Sequence, residues 1–232
     1  MPSVPIDLLT TSESFRVWRI VSTPFEENTY VFALADSDAC VVVDPGLQPG
    51  AIVDLLEREG LTPAAILNTH GHSDHIAGNE RMKQRWPEAP LVIGVGDAPK
   101  LRDPMGNLSA MFGFEVLSPA ADATVTGGDV YEAAGLSWRV LDTPGHSAGH
   151  VTFLLEADGE THAVAGDVLF QRGVGRTDFP DGDAETLRRS IHEQLFPLPD
   201  ETVVYPGHGP TTTIGEERRE NPFVGAIAAP SG

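Results

Sequence analysis

Five of the eight histidines stand in polar, glycine-flanked positions just after apolar runs. They are His70, His72 and His75 in Thr69-His70-Gly71-His72-Ser73-Asp74-His75, His146 in Pro144-Gly145-His146, and His208 in Pro206-Gly207-His208-Gly209. Imidazole nitrogens mixed with carboxylate oxygens suit zinc, iron or manganese. An extended 70–72 segment places His70 and His72 on one side, while Asp74 and His75 begin the next turn, so one loop can present ligands to two neighbouring cations. Asp167, in Ala165-Gly166-Asp167 at the end of an apolar run, is the natural carboxylate to be shared between them, as in hydrolytic two-metal centres. Any one of these histidines alone reads as a core or surface residue. Five of them with two aspartates, each on a glycine- or proline-bearing loop, read together as a metal site. His150, four residues after His146, is expected to support a ligand from behind. His162 and His192 fall inside a strand and a helix and are expected to be structural or exposed.

The elements that must position these residues follow from periodicity. Residues 15–21, 28–35 and 39–44 are β-branched or aromatic runs, separated by Pro24, acidic residues and Asp36-Ser37-Asp38, and read as successive strands of one sheet. Asp44-Pro45-Gly46 is a turn, and residues 50–59 space apolar side chains like a helix closed by Gly60. The expected order continues with a strand at 64–68, a helix from Ile76 to Trp86, a strand at 91–93 and an irregular stretch over 94–118. Further strands at 124–126, 138–142, 151–155 and 161–165 precede a helix at 183–195 and a strand at 202–205, and the tail after Pro222 reads as loosely ordered. Strands alternating with helices in both halves imply a layered α/β architecture, with one domain over 1–232 and the 94–118 segment lying over a functional face.

Composition narrows the function. The chain has 232 residues, 15 Lys plus Arg against 34 Asp plus Glu, and a formal charge of −19. Nucleic-acid binding needs clustered cations, and here the arginines are scattered and only Lys83 and Lys100 are lysines. The single cysteine, Cys40, lies in Ala39-Cys40-Val41-Val42-Val43 and reads as buried packing, so neither an internal disulfide nor a thiolate metal cluster is available. The N-terminus lacks a basic segment followed by an apolar one, and there is no run of 18 apolar residues; a cytoplasmic protein without a membrane partner is expected, with a homo-oligomer left open.

The 69–75 run resembles the H-x-H-x-D-H signature of the metallo-β-lactamase superfamily, and His146, Asp167 and His208 follow in the family's order across nearly the whole chain. The resemblance implies a four-layer αβ/βα sandwich with the metals at one edge between two sheets. It implies that His70, His72 and His146 bind one divalent ion, that Asp74, His75 and His208 bind a second, and that Asp167 bridges them. Zinc is the expected metal, with iron or manganese as alternatives. Asp44, in the same strand-then-turn element as in the family, reads as a buried carboxylate orienting the metal-binding loop, or as a turn cap.

Within the superfamily, Gly173-Val174-Gly175-Arg176-Thr177-Asp178-Phe179 and Tyr205-Pro206-Gly207-His208-Gly209-Pro210 look like the short glyoxalase II-type hydrolases, which act on thioesters. Arg176 then corresponds to a basic residue that meets the carboxylate of the thiol-bearing substrate, and pairing with Asp178 is its structural alternative. The chain ends soon after Asn221, where longer glyoxalase II enzymes carry a helical extension that grips glutathione, which leaves another small thiol as carrier. The implied reaction is attack on a hydroxyacyl-thiol by a water acidified between two cations, with Asp74 holding or relaying its proton. The bridging Asp167 argues against a true β-lactamase. Two other activities fit the pattern: an Fe(II) persulfide dioxygenase using His70, His146 and Asp167, and a lactonase. A metal-stapled binding protein is the non-catalytic reading.

Overall fold

The computed structural model describes residues 4–11 and 14–228. The first half builds a seven-stranded sheet in sequence order: β1 (Ile6–Thr11), β2 (Phe15–Ser22), β3 (Glu27–Leu34), β4 (Ala39–Val43), β5 (Thr62–Asn68), β6 (Leu91–Gly94) and β7 (Ala123–Val125). The first four strands pair antiparallel, and β4 to β7 pair parallel. The later strands are β8 (Val130–Ala133), β9 (Leu136–Asp142), β10 (Val151–Ala157), β11 (Glu160–Gly166), β12 (Leu169–Phe170), β13 (Gly173–Val174), β14 (Val203–Pro206) and β15 (Thr212–Thr213). Six of them form a second sheet in the order β15-β14-β11-β10-β9-β8, and β12 and β13 make a separate hairpin. The helices are α1 (Pro49–Glu59), α2 (Ser73–Ile76), α3 (Asn79–Arg85), α4 (Ala184–Ser190) and α5 (Ile214–Glu220).

Alternation along the strands dictates the layering. In β4, Val41 and Val43 enter the core between the sheets, whereas Cys40 and Val42 face the helical layer, so a strand buried on both sides reads as an unbroken apolar run. The inter-sheet core is aromatic: Phe32 meets Trp138 at 5.2 Å and Tyr205 at 5.4 Å, both nearly perpendicular. Each such fully buried side chain contributes about 2–3 kcal/mol. A second core joins the outer face of the first sheet to α1 and α3, and a third joins the second sheet to α4 and α5. The result is helix, sheet, sheet, helix, the expected four-layer α/β sandwich. Burial pushes the Cys40 thiol up to about 12, which leaves it inert packing. Among the described residues no helix is long and apolar enough to cross a membrane.

Several elements differ from the sequence expectation. The helix expected over 76–86 starts only at Asn79, as α3, because after the short α2 the chain turns at Ala77-Gly78, where the Gly78 N–H donates to Pro45 O (2.7 Å). The helix over 183–195 is α-helical only to Ser190 and widens into a π-turn over 191–195. Edge strands β1 and β8 carry mixed polarity, with Leu8 and Val130 more than half exposed, and gave no alternation to read. Helix α5 is polar around most of its surface and is started by Thr213, whose hydroxyl accepts from the Glu216 N–H (3.2 Å). The tail after Pro222 is docked as far as it is described: Gly225 N–H donates to Asn221 O (2.9 Å), Ala226 N–H to Arg218 O (2.8 Å), and Val224 is buried; residues 229–232 lie outside the described residues.

Candidate metal centre

The polar strand ends gather at one edge of the sandwich. Asp44 follows β4, the 70–75 run follows β5, His146 follows β9, Asp167 follows β11, and His208 follows β14. The antiparallel bridge between Glu27 and His208, and the Asn28 N–H donating to Gly207 O (2.7 Å), tie the two sheets together there. Tyr30 and Asn28 side chains add donations to Pro206 O at 2.8 and 2.9 Å. Gly207 is required by close approach, since a Cβ there would lie 2.1 Å from Asp167 Oδ1.

All seven candidate donors converge. His70, His72 and His146 form one cluster and Asp74, His75 and His208 another, each with ligand atoms within 4.8 Å of one another. Asp167 lies between them: its Oδ1 is 3.5 Å from His75 Nε2, and its Oδ2 is 3.4 Å from His146 Nε2 and 3.5 Å from His208 Nε2. Asp74 Oδ2 stands 3.5 Å from His208 Nε2 and 3.9 Å from His75 Nε2.

The surrounding partners fix which nitrogen points inward. His146 Nδ1 lies 2.8 Å from Arg176 O and His208 Nδ1 lies 3.0 Å from Phe25 O. A carbonyl only accepts, so both rings carry hydrogen on Nδ1 and direct Nε2 into the cluster. His75 Nδ1 faces Asp44 Oδ2 at 3.1 Å in the same way. Asp44 also accepts from the Thr69 N–H (2.8 Å) and hydroxyl (2.7 Å), and that hydroxyl, its hydrogen spent, accepts from His70 Nδ1 (3.1 Å). His150 Nε2 accepts from the Asp167 N–H (3.2 Å) while its Nδ1 meets Thr143 Oγ1 (3.0 Å). Asp44 and His150 therefore sit behind the loops they were expected to support. Carboxylate or hydroxyl partners behind the imidazoles are the usual setting of metal-binding histidines.

This donor set fits divalent cations. His70 Nε2, His75 Nε2 and Asp167 Oδ1 are buried without a hydrogen-bond partner, and His72 Nδ1 meets the lone pair of His146 Nε2 at 2.9 Å. Burial and then the neighbouring histidines push His70 and His72 well below the usual imidazole range, keeping them unprotonated. Burial alone would lower His75 and His208 too, but Asp167 leads the charges that raise them, His208 to about 10. The carboxylates thus demand positive charge at the centre.

Five of the seven donors, His72, Asp74, His146, Asp167 and His208, line a cavity of about 190 Å³, whose other walls include Phe25, Leu108, Phe112 and Phe179. Phe25 and Phe112 stack edge-on at 5.3 Å, so the 94–118 segment supplies part of the rim; Phe179 covers His72 at 5.4 Å. Arg176 reaches the cavity mouth, but its Nε and Nη2 donate to the two Asp178 oxygens at 2.7 Å each, and the guanidinium lies over Phe179 at 4.2 Å. Sequence reasoning missed Glu27, which looked like an acidic turn residue. It is fully buried, and desolvation first, then Asp44 and Asp74, raise its carboxyl well above the usual range against the pull of His75 and His208. It also missed Asn68, whose amide donates to His75 O (3.0 Å); a polar residue ending an apolar strand is the signal that could have found it.

The sequence profile of the metallo-β-lactamase superfamily matches residues 22–208, and the chain belongs to that superfamily. Among particular relatives, it is 38% identical over 213 residues to the probable metallo-hydrolase YqgX of Bacillus subtilis, covering 91% of this chain and 99% of that one. It is 35% identical over 209 residues to the hydroxyacylglutathione hydrolase GloC of Haemophilus influenzae, covering 87% and 94%. Of solved structures, the BLEG-1 B3 metallo-β-lactamase superposes with a TM-score of 0.85 at 37% identity, covering 90% of this chain and 99% of that one. ETHE1 from Myxococcus xanthus gives 0.74 at 32%, covering 89% and 83%.

Proposed function

We propose that this protein is a cytoplasmic, two-metal hydrolase of a small thioester, a hydroxyacyl-thiol, with zinc as its metal. The carrying observation is Asp167, whose two oxygens face histidines of both clusters at 3.4–3.5 Å, a placement suited to a carboxylate shared between two cations. Resemblance to GloC supports the thioester. His70, His72 and His146 would hold one ion, Asp74, His75 and His208 the other, and Asp167 both. Divalent cations held there supply a water acidified toward a pKa of about 7 and a polarised carbonyl.

The chain's own residues do the rest. Asp74, on the cavity wall, accepts the attacking water's hydrogen at its carboxylate and orients the oxygen toward the acyl carbon. Phe25, Phe112 and Phe179 keep bulk water from the reacting centre. A thiolate leaves without an acid to protonate it, so no residue need fill that role. The same arrangement serves lactones. ETHE1's likeness favours a second reading, an iron-dependent persulfide dioxygenase on His70, His146 and Asp167, but that reading leaves Asp74, His75 and His208 without a task.

Elemental analysis of the purified protein, with thioester hydrolysis, β-lactam and lactone hydrolysis, and oxygen uptake on a persulfide assayed on one sample, tests this. About two ions per chain and thioester turnover without oxygen uptake are expected. A single iron with oxygen uptake would overturn the reading.

Arg176 is proposed to bind the substrate's carboxylate by exchanging it for Asp178. Arg176→Ala should raise KM about tenfold with kcat little changed, and Asp178→Ala, which frees the fork, should lower KM. Steady-state kinetics on both variants checks this, and an unchanged KM in Arg176→Ala would remove the idea.

A further inference from the structure

Gly71, between His70 and His72, donates its N–H to Asp97 Oδ2 (2.8 Å). Ser147, the residue after His146, donates its hydroxyl to the same oxygen, and the Gly149 N–H donates to Oδ1 (2.8 Å). Lys100 Nζ stands 3.1 Å from Oδ1 and also reaches the Ser147 hydroxyl and Asp181 Oδ2, which accepts the Ala148 N–H (3.1 Å). Asp97 is wholly buried just past β6, and its side-chain bonds go to Gly71, Ser147, Gly149 and Lys100 and not to the seven candidate donors.

A carboxylate has about four acceptor positions, and all four are used here. Two of the four donors belong to the loop after His146 and one to the loop carrying His70 and His72. The backbones leave no slack: a Cβ on Gly149 would sit 2.2 Å from Asp97 N, and one on Gly71 2.7 Å from Lys100 Cβ. Lys100 supplies the charge that makes the buried carboxylate tolerable and extends the contact to the 176–181 loop through Asp181.

We propose that Asp97 is a positioning residue that locks the His70-Gly71-His72 loop to the His146 loop, and so sets the affinity of the three-histidine cluster for its cation. The proposal depends on the metal-centre reading given above. Asp167 also faces both loops, but through the candidate donors His75 and His146 themselves, whereas Asp97 holds the loop backbones and Ser147.

The test titrates chelator-treated protein with Co²⁺, reading visible absorption and competition against a chelator, with circular dichroism reporting the fold. In Asp97→Asn the amide turns two hydrogens toward groups that themselves donate. Affinity at the three-histidine cluster should fall about 10–100-fold with an altered absorption band, while the ion held by Asp74, His75 and His208 binds as before. Ser147→Ala, which removes one donor of four, should show the same band change with about a threefold loss, and it carries the test if Asp97→Asn does not fold. Wild-type affinity and an unaltered band in a folded variant, even one of lowered Tm, overturn the proposal. A wild-type chain that takes up no cobalt overturns the metal-centre reading and this proposal together, and is told apart by needing no variant.

Discussion

Asp167→Asn is expected to lower kcat by about a thousandfold while the protein stays folded. The side chain is held in a narrow space, with Gly207 packed against Oδ1, so only an isosteric change leaves the surroundings undisturbed. Asparagine keeps the shape and the main-chain N–H that donates to His150, but it loses one acceptor and the negative charge. His208 and His75 hold the Asp167 carboxyl well below the usual range in spite of its burial, so the wild-type group is an anion at every working pH. Its removal takes charge from both clusters at once, and the variant should carry fewer than two ions per chain. Circular dichroism, elemental analysis and kcat on the thioester check the three parts separately. Turnover within tenfold of wild type would sink the two-metal reading.

Such an outcome would also bear on the choice between hydrolase and oxygenase. Both readings use Asp167, His70 and His146, but only the hydrolase needs His75 and His208 to share that carboxylate. The geometry joining the clusters is what separates them, and fold alone does not.

How much of this was legible beforehand depends on whether a residue's role is local. The seven donors announced themselves because ligands of the right type stood at strand ends, beside glycines that let loops approach. β2 to β6 were legible from apolar runs, since strands buried on both faces need no alternation to be seen. Glu27 and Asp97 were not, because their roles arise from long-range packing. Glu27 meets His208 across 181 positions and Asp97 meets Ser147 across 50, and the local strings Glu26-Glu27 and Gly96-Asp97 look like ordinary turns. Arg176 was legible as a residue near the mouth with pairing to Asp178 as its alternative, and the structure shows that pairing; which of the two partners it takes is a choice of rotamers that the local string does not fix.

Asp44 offers the sharpest test of how the loop behind the ligands is built. Its backbone is left-handed, with φ of 48°, and its carboxylate receives two donors from Thr69 and one from His75. Asn tolerates that backbone and Ala does so poorly, at an added cost of about 1 kcal/mol. Asp44→Asn replaces one oxygen by an amide that faces donors, and should lose about 3 kcal/mol, or about 10 °C in Tm for a domain of this size. Asp44→Ala should lose more, by the strain term. A residue that merely capped the turn would show that loss equally in chelator and in metal, with unchanged metal affinity. A residue that orients His75 directly, and His70 through the Thr69 hydroxyl, must weaken metal binding as well, by about 10–100-fold, because replacing the carboxylate disturbs the partner that fixes the hydrogen on His75 Nδ1 and the acceptor that holds the Thr69 hydroxyl behind His70. Denaturant melts with and without metal measure both quantities on the same samples. Full metal affinity in a destabilised Asp44→Asn would assign Asp44 to the turn and leave the orientation of His75 to the packing around it.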